Sequence, residues 1–280
     1  MTVALALTGS FAEAVVHADR ALALYDPVEN RPLATRFIQD PRDPEAGLAD
    51  AEQALSEARE TGLAGALMHA MSNICLTQVA SGNYTIAQAQ SDELIALAEE
   101  KGSAYWKATG MLRRAGLLAL TGKASDAVDI FVSSIPAQRS MGARLYFPVW
   151  LSLLARAYGE LGHFDEAWSY IGEAMTAVET TKEKWYEAEV HRMAGEIALM
   201  SPERDPAKAE ARIERALAVA RSQKAKSWEL RAAVSMARLW CDQGRRDEAR
   251  DLLAPVYGCF TVGFDTLDLK QAKALLDELA

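Results

Sequence analysis

Residues 151–175, LSLLARAYGELGHFDEAWSYIGEAM, carry Ala155, Tyr158, Gly162, Ala167 and Ala174 at offsets 0, 3, 7, 12 and 19. Small residues in that order around a turn-forming glycine describe two antiparallel helices in close contact. The glycine permits a left-handed turn where the first helix ends, and the alanines let the second helix approach it. Apolar residues spaced three and four apart on both sides of Gly162 give each helix one face to bury.

The pattern recurs as Gly9/Ala14/Ala21, Gly82/Ala87/Leu94, Gly122/Ala127/Ser134 and Gly244/Ala249/Val256, while one repeat keeps Ala209 and Ala216 without the glycine. Gly82, Gly122 and Gly162 are 40 apart, and Gly162 to Gly244 is 82, two units of 41. The order of small residues is that of a tetratricopeptide repeat, with a period of about 40 in place of the usual length of about 34. A single helix pair leaves an apolar face uncovered, so stacking of pairs builds the core. The expected fold is all-α: a right-handed, tetratricopeptide-like α-α superhelix (solenoid) of about six helix pairs, forming one domain over residues 1–280.

Apolar spacing predicts helices over 11–25, 45–60, 63–80, 84–101, 104–121, 124–134, 144–161, 164–180, 183–200, 206–222, 226–243, 246–254 and 267–279. The residues by which each unit exceeds the usual length should lengthen helices rather than make long loops. Residues 26–44, DPVENRPLATRFIQDPRDP, hold four of the nine prolines and form the irregular segment, where a helix is shortened or missing. YGCFTVGFD, residues 257–265, reads as a tight plug or turn, and a capping helix follows over about residues 266–280.

Composition narrows the function. With 30 basic and 39 acidic side chains the net charge is −9, which excludes the clustered basic surface that nucleic acid requires. No apolar run approaches the roughly 20 residues of a membrane span, and no secretory segment follows Met1, so a cytoplasmic location is expected. Cys75, Cys241 and Cys259 form no metal or redox pair and are expected to be buried or half-buried thiols. His17, His69, His163 and His191 make no metal-binding spacing, and no cofactor is called for.

Two segments, EAEVHRMAGEIALM (187–200) and AKSWELRAAVSMARLWCDQGRRDEARDLLAPVYGCFTVGFDTLDLKQAKALLDEL (225–279), resemble the C-terminal tetratricopeptide region of bacterial multidomain signalling proteins. In that family an adenylate/guanylate cyclase domain and a P-loop ATPase module usually precede the repeats. ALYDPVENRPLATRFIQDP (23–41) is similar to the family's inter-repeat segment. Cys259 departs from the aromatic residue usual there, and the second repeat is shortened. The resemblance implies an excised or stand-alone regulatory repeat region, with cyclase or ATPase domains attached in the intact protein.

Motifs that suggest chemistry dissolve on inspection. GLLALTGKAS (116–125) resembles a phosphate loop, yet its glycines are one residue too far apart and Ala124 stands where a metal-binding hydroxyl belongs. Asn83-Tyr84-Thr85 matches a glycosylation acceptor, but Asn83 reads better as a helix cap. Glu99/Glu100 and Asp247/Glu248 are adjacent in sequence, point apart on a helix and cannot share a proton. Tyr84, Tyr158, Phe164, Trp168 and Trp240 occupy positions that fill space between paired helices, and Trp106 and Trp185 also sit at packing positions.

The informative polar residues lie on the inner face of first helices: Asn73, Arg113, Arg156, Glu189, Arg192, Glu196, Arg231 and Arg238. Five of these eight are arginines, whose planar forks suit carboxylates or a peptide terminus. Pairing with Glu189, Glu196 and Asp242 is the alternative use of the same charges. The expected function is a non-catalytic protein-interaction scaffold for a protein or peptide partner bearing carboxylates. The alternative is a small-ligand-sensing solenoid that controls an attached ATPase, cyclase or transcription activator.

Overall fold

The computed structural model describes residues 44–280. The expected helix at 11–25, the Gly9/Ala14/Ala21 repeat, His17 and the irregular segment up to Pro44 lie outside the described residues. Among the described residues there are twelve α-helices and no strand. The chain divides into two compact units, Met1–Leu145 and Tyr146–Ala280.

The first unit contains α1 (Pro44–Thr61), α2 (Ala64–Ala80), α3 (Tyr84–Glu100), α4 (Ala104–Leu120) and α5 (Ala124–Ser140). Each helix packs on the next, and the first helices α2 and α4 also touch. Met71, Ile74, Leu94, Leu112 and Phe131 are fully buried. Gly110 marks the closest approach of α4 to α3, because a Cβ there would sit 2.7 Å from Ile95 Cγ1.

The turns explain the period. Gly62, Gly82, Gly102, Gly122, Gly142 and Gly162 recur every 20 residues, all with φ between 65° and 81°. After α2, Asn83 N–H reaches back to the Gln78 carbonyl at 2.8 Å and Gly82 N–H to Val79 at 3.1 Å, which satisfies carbonyls the helix end leaves open. Helices of 17 residues separated by such turns give the 40-residue unit, so the additional length does go into helices.

The second unit contains α6 (Phe147–Glu160), α7 (Phe164–Thr181), a 3-10 turn (Lys184–Tyr186), α8 (Glu187–Met200), α9 (Pro206–Gln223), α10 (Lys226–Asp242), α11 (Arg246–Tyr257) and α12 (Leu267–Leu279). Here α6, α8, α10 and α12 lie side by side, while α7, α9 and α11 pack chiefly against those first helices. The repeat positions named by the glycine spacing hold: Ala87, Ala127, Ala167, Ala209 and Ala249 are 0% exposed. The repeat that lacks a turn glycine uses a longer loop, closed by Asp205, whose carboxylate accepts the Lys208 N–H at 2.9 Å ahead of Pro206.

Several expectations are corrected. The helix expected over 124–134 continues through Pro136 to Ser140, because Ile135 and Gln138 bury against the first unit's core. The helix expected from 144 begins at Phe147, after Tyr146 adopts a left-handed conformation. The helix expected from 183 begins at Glu187, after the 3-10 turn. Asn83 stands at the N-cap of α3 but does not cap it; its amide donates to Gln78 Oε1 at 2.8 Å. Cys259 is exposed, while Cys75 is buried and Cys241 half-buried. The segment 257–265 is turn structure between α11 and α12.

Candidate functional site

In the second unit, the first helices bring five of the expected residues into one ion-pair chain. Glu189, on α8, is 1% exposed. Its two oxygens accept Arg192 Nε at 2.6 Å and Nη2 at 2.9 Å, and Arg231 Nη1 of α10 lies 3.5 Å away. Arg192 also binds Glu196 one turn on, and Ser235 of α10 donates to Glu196 at 2.9 Å. Arg156 on α6 pairs with Glu160 at 2.9 Å and approaches Glu196 at 4.0 Å. Arg231 closes the chain on α12, Nε to Asp268 Oδ2 at 2.6 Å.

The spacing of these residues is what a helix face requires. Glu189, Arg192 and Glu196 are three and four apart, so they rise in one column on α8. Arg231 and Ser235 do the same on α10. Arg231 also lies over the Trp228 ring, 5.0 Å from its centroid. Beneath the column Tyr146, Trp150, Trp185, Tyr186 and Trp228 form a buried aromatic floor, with Tyr186 edge-on to Trp228 at 5.7 Å.

Electrostatics follow from burial and pairing. Burial alone would push the Glu189 carboxyl up, but the Arg192 and Arg231 guanidiniums outweigh it and hold the group below the usual carboxylate value. Arg192 and Arg231 stay charged despite burial because Glu189, Glu196 and Asp268 face them. Burial, and then the Glu189 charge, push the Tyr186 phenol up, so it remains neutral. Three arginines meet four carboxylates in this chain. The chain therefore has one more carboxylate than guanidinium and is not basic. Glu189 and Glu196 are the pairing partners, whereas Asp242 pairs elsewhere, with Arg204 at 3.1 Å.

The remaining expected residues stand apart from the chain. Arg238 is exposed on α10, two turns beyond Arg231. In the first unit Arg113 of α4 is 2% exposed and donates to Ser72 Oγ of α2 at 3.0 and 3.2 Å. Asn73, the neighbour of Ser72, is half-buried.

Asp268, Glu160, Ser235 and Ser72 escape the sequence reading. Asp268 sits on the capping helix, outside the repeat register from which the inner face was deduced. Glu160 was legible as the residue four after Arg156.

Among the described residues, no group of three or more His, Cys, Asp or Glu is arranged to hold a metal ion. Among them, too, no helix is long and apolar enough to cross a membrane. The phosphate-loop lookalike at 116–125 is the turn between α4 and α5, with Gly122 in the left-handed conformation.

No family model and no curated protein matches the sequence. Among solved structures, the apo form of RapI is similar, with a TM-score of 0.61 at 13% identity, over 96% of this chain and 92% of that one. BtubC (BKLC) from P. vanneervenii is similar with a TM-score of 0.52 at 18% identity, over 84% of this chain and 89% of that one. These likenesses extend to the fold, and with the helix pairs described above they make this a tetratricopeptide-like α-α repeat fold.

Proposed function

We propose that the chain is a non-catalytic interaction module whose first-helix face docks a protein or peptide segment. One observation carries the reading. The adjacent helices α6, α8, α10 and α12 present a preassembled polar row, and its members Arg156, Glu196, Arg231 and Asp268 keep 20–25% of their side-chain surface in solvent. Fixed charges of both signs, already desolvated on one side, bind a polar backbone or a peptide carboxylate with little further ordering cost. Arg238 lies on α10 as an exposed guanidinium beside the row. Asn73 and Arg113, on first helices of the first unit, and residues 1–280 as one repeat domain belong to the same proposal.

The resemblance to cyclase and ATPase signalling proteins extends the proposal. Docking on this face would then regulate attached domains, through a coupling that must be reciprocal.

The test uses the full chain and a display library of random peptides with free C-termini. Hydrogen exchange of the bound state should show added protection in α6, α8, α10 and α12. Protection confined to α7, α9 and α11 would remove the assignment of this face. A small metabolite that protects the same helices, with no peptide recovered, would replace the scaffold by a sensor.

A further inference from the structure

Among the described residues, eight interhelical connections place glycine in the left-handed conformation: Gly62, Gly82, Gly102, Gly122, Gly142, Gly162, Gly244 and Gly263. The turns after α7 and α9 place Lys182 and Lys224 there instead, at φ 63° and 56°. A side chain in that region is strained relative to glycine. A cation is favoured at a helix C-terminus, but Arg221 in the last turn of α9 meets that preference without left-handed backbone.

The two lysine turns are fastened to each other. Gln223 Nε2 donates to the Lys184 carbonyl at 2.8 Å, and Trp228 Nε1 donates to the Trp185 carbonyl at 3.0 Å. One edge of the second unit therefore gathers Lys182, Lys184 and Lys224, with Arg221 and Lys226 beside them. Exposed Glu179 precedes Lys182 by three residues, and two other nearby carboxylates are occupied. Glu229 accepts Arg221 at 2.9 Å and Lys226 at 2.6 Å, and buried Glu183 accepts the Tyr146 N–H at 2.8 Å. Among the described residues no carboxylate pairs with Lys182, Lys184 or Lys224.

We propose that this lysine edge is a second docking site, distinct from the first-helix face, and that it takes an Asp/Glu-rich segment of a partner protein. Charge complementarity identifies the occupant: unpaired ammonium groups on a chain of net charge −9 form a local contrast that a short acidic segment reads. A lipid surface fits less well, because the exposed large apolar residues of the second unit, Leu161, Val262 and Phe264, lie in other turns, after α6 and after α11. A nucleic acid fits less well, because its phosphates would extend past the edge onto an acidic protein and because Trp185 and Trp228 are buried.

A fluorescein-labelled polyglutamate peptide titrated with the full chain tests this by anisotropy. The double variant Lys182→Gly/Lys224→Gly removes strain together with charge. It should melt no lower than the parent yet bind the peptide at least about fivefold more weakly, with Lys123→Gln as an unchanged control. The proposal is overturned if the parent does not bind the peptide or if the double variant binds equally well. It is also overturned if Lys123→Gln loses as much, or if phosphatidylserine vesicles or an oligonucleotide bind through these lysines more tightly than the peptide.

Discussion

Arg231 on α10 and Asp268 on α12 meet at 2.6 Å, each with about a fifth of its side chain exposed. This contact joins the last helix pair to the helix that covers its end. Leu269, Ala272, Leu275 and Leu279 supply the apolar part of the same docking. Removing one partner of an ion pair that is partly desolvated, and that shares its arginine with buried Glu189, costs more than breaking a surface pair. Asp268→Asn should lower stability by about 1–2 kcal/mol. Hydrogen exchange should quicken in α12 before the rest of the unit; uniform exchange across all its helices would contradict a local role.

Glu189 is the centre on which Arg192 and Arg231 converge. Glu189→Ala would leave two guanidiniums without their shared carboxylate and should cost about 3–5 kcal/mol. Because Glu189 titrates below the ordinary carboxylate value, its contribution is present above about pH 4.5 and is lost as pH falls below it. Urea midpoints between pH 6 and pH 3 should therefore fall more steeply for the parent than for Glu189→Gln. Parallel curves would show that the network does not contribute.

A separate acid limb belongs to His191. It is 8% exposed on α8, and burial followed by the Arg212 and Arg215 charges lowers it from 6.5 to about 4. The unfolded chain takes up the proton first, so stability is complete above pH 6.5 and is lost as pH falls towards about 4, by about 3 kcal/mol. Glu187, which lies 3.8 Å from Arg215, tempers the local positive charge. His191→Gln should flatten the limb between pH 6.5 and 4, and calorimetric midpoints across that window measure it.

Much of the fold was legible because its signal is local and repeated. Gly162 with Ala167 and Ala174 states a turn and two close contacts within a few residues, and the next pair states them again. The half-period lies in the turns between pairs, at Gly62, Gly102 and Gly142, where the alanines that follow a within-pair glycine are missing from the pattern. The inner face was legible as a set of residues but not as a charge state. Arg192 and Arg231 are readable one helix at a time. Arg192's partners Glu189 and Glu196 follow from spacing on α8 itself, whereas Arg231's partners on α8 and α12 depend on how helices far apart in sequence are laid together, which no spacing within one helix encodes. The helix expected to end at 134 runs on through Pro136 to Ser140, because tertiary packing carries α5 past a residue that would end an isolated helix.

Close helix contacts give opposite results at two glycines. A Cβ at Gly195 would lie 2.7 Å from Ile213 Cγ1 and 3.1 Å from the Ala209 carbonyl. Gly195→Ala should force α8 and α9 apart and cost about 1–3 kcal/mol. Gly172 lies on α7 with nothing within 4 Å of such a Cβ. Gly172→Ala should stabilise by about 0.5–1 kcal/mol through the lower entropy of the unfolded chain. Thermal melts of the two variants should move in opposite directions.

The most direct measurement is the affinity of a library-selected peptide, by titration calorimetry, for the parent, Arg238→Ala and Asp165→Ala. Arg238 is exposed on the first-helix face and outside the folding network, so its loss leaves the unit intact. Asp165 lies in the first turn of α7, a second helix. The account predicts that Arg238→Ala weakens binding by about tenfold, a difference of about 1.4 kcal/mol, while Asp165→Ala leaves it unchanged. Unchanged affinity in Arg238→Ala together with a loss in Asp165→Ala would place the binding surface on the second helices and contradict it.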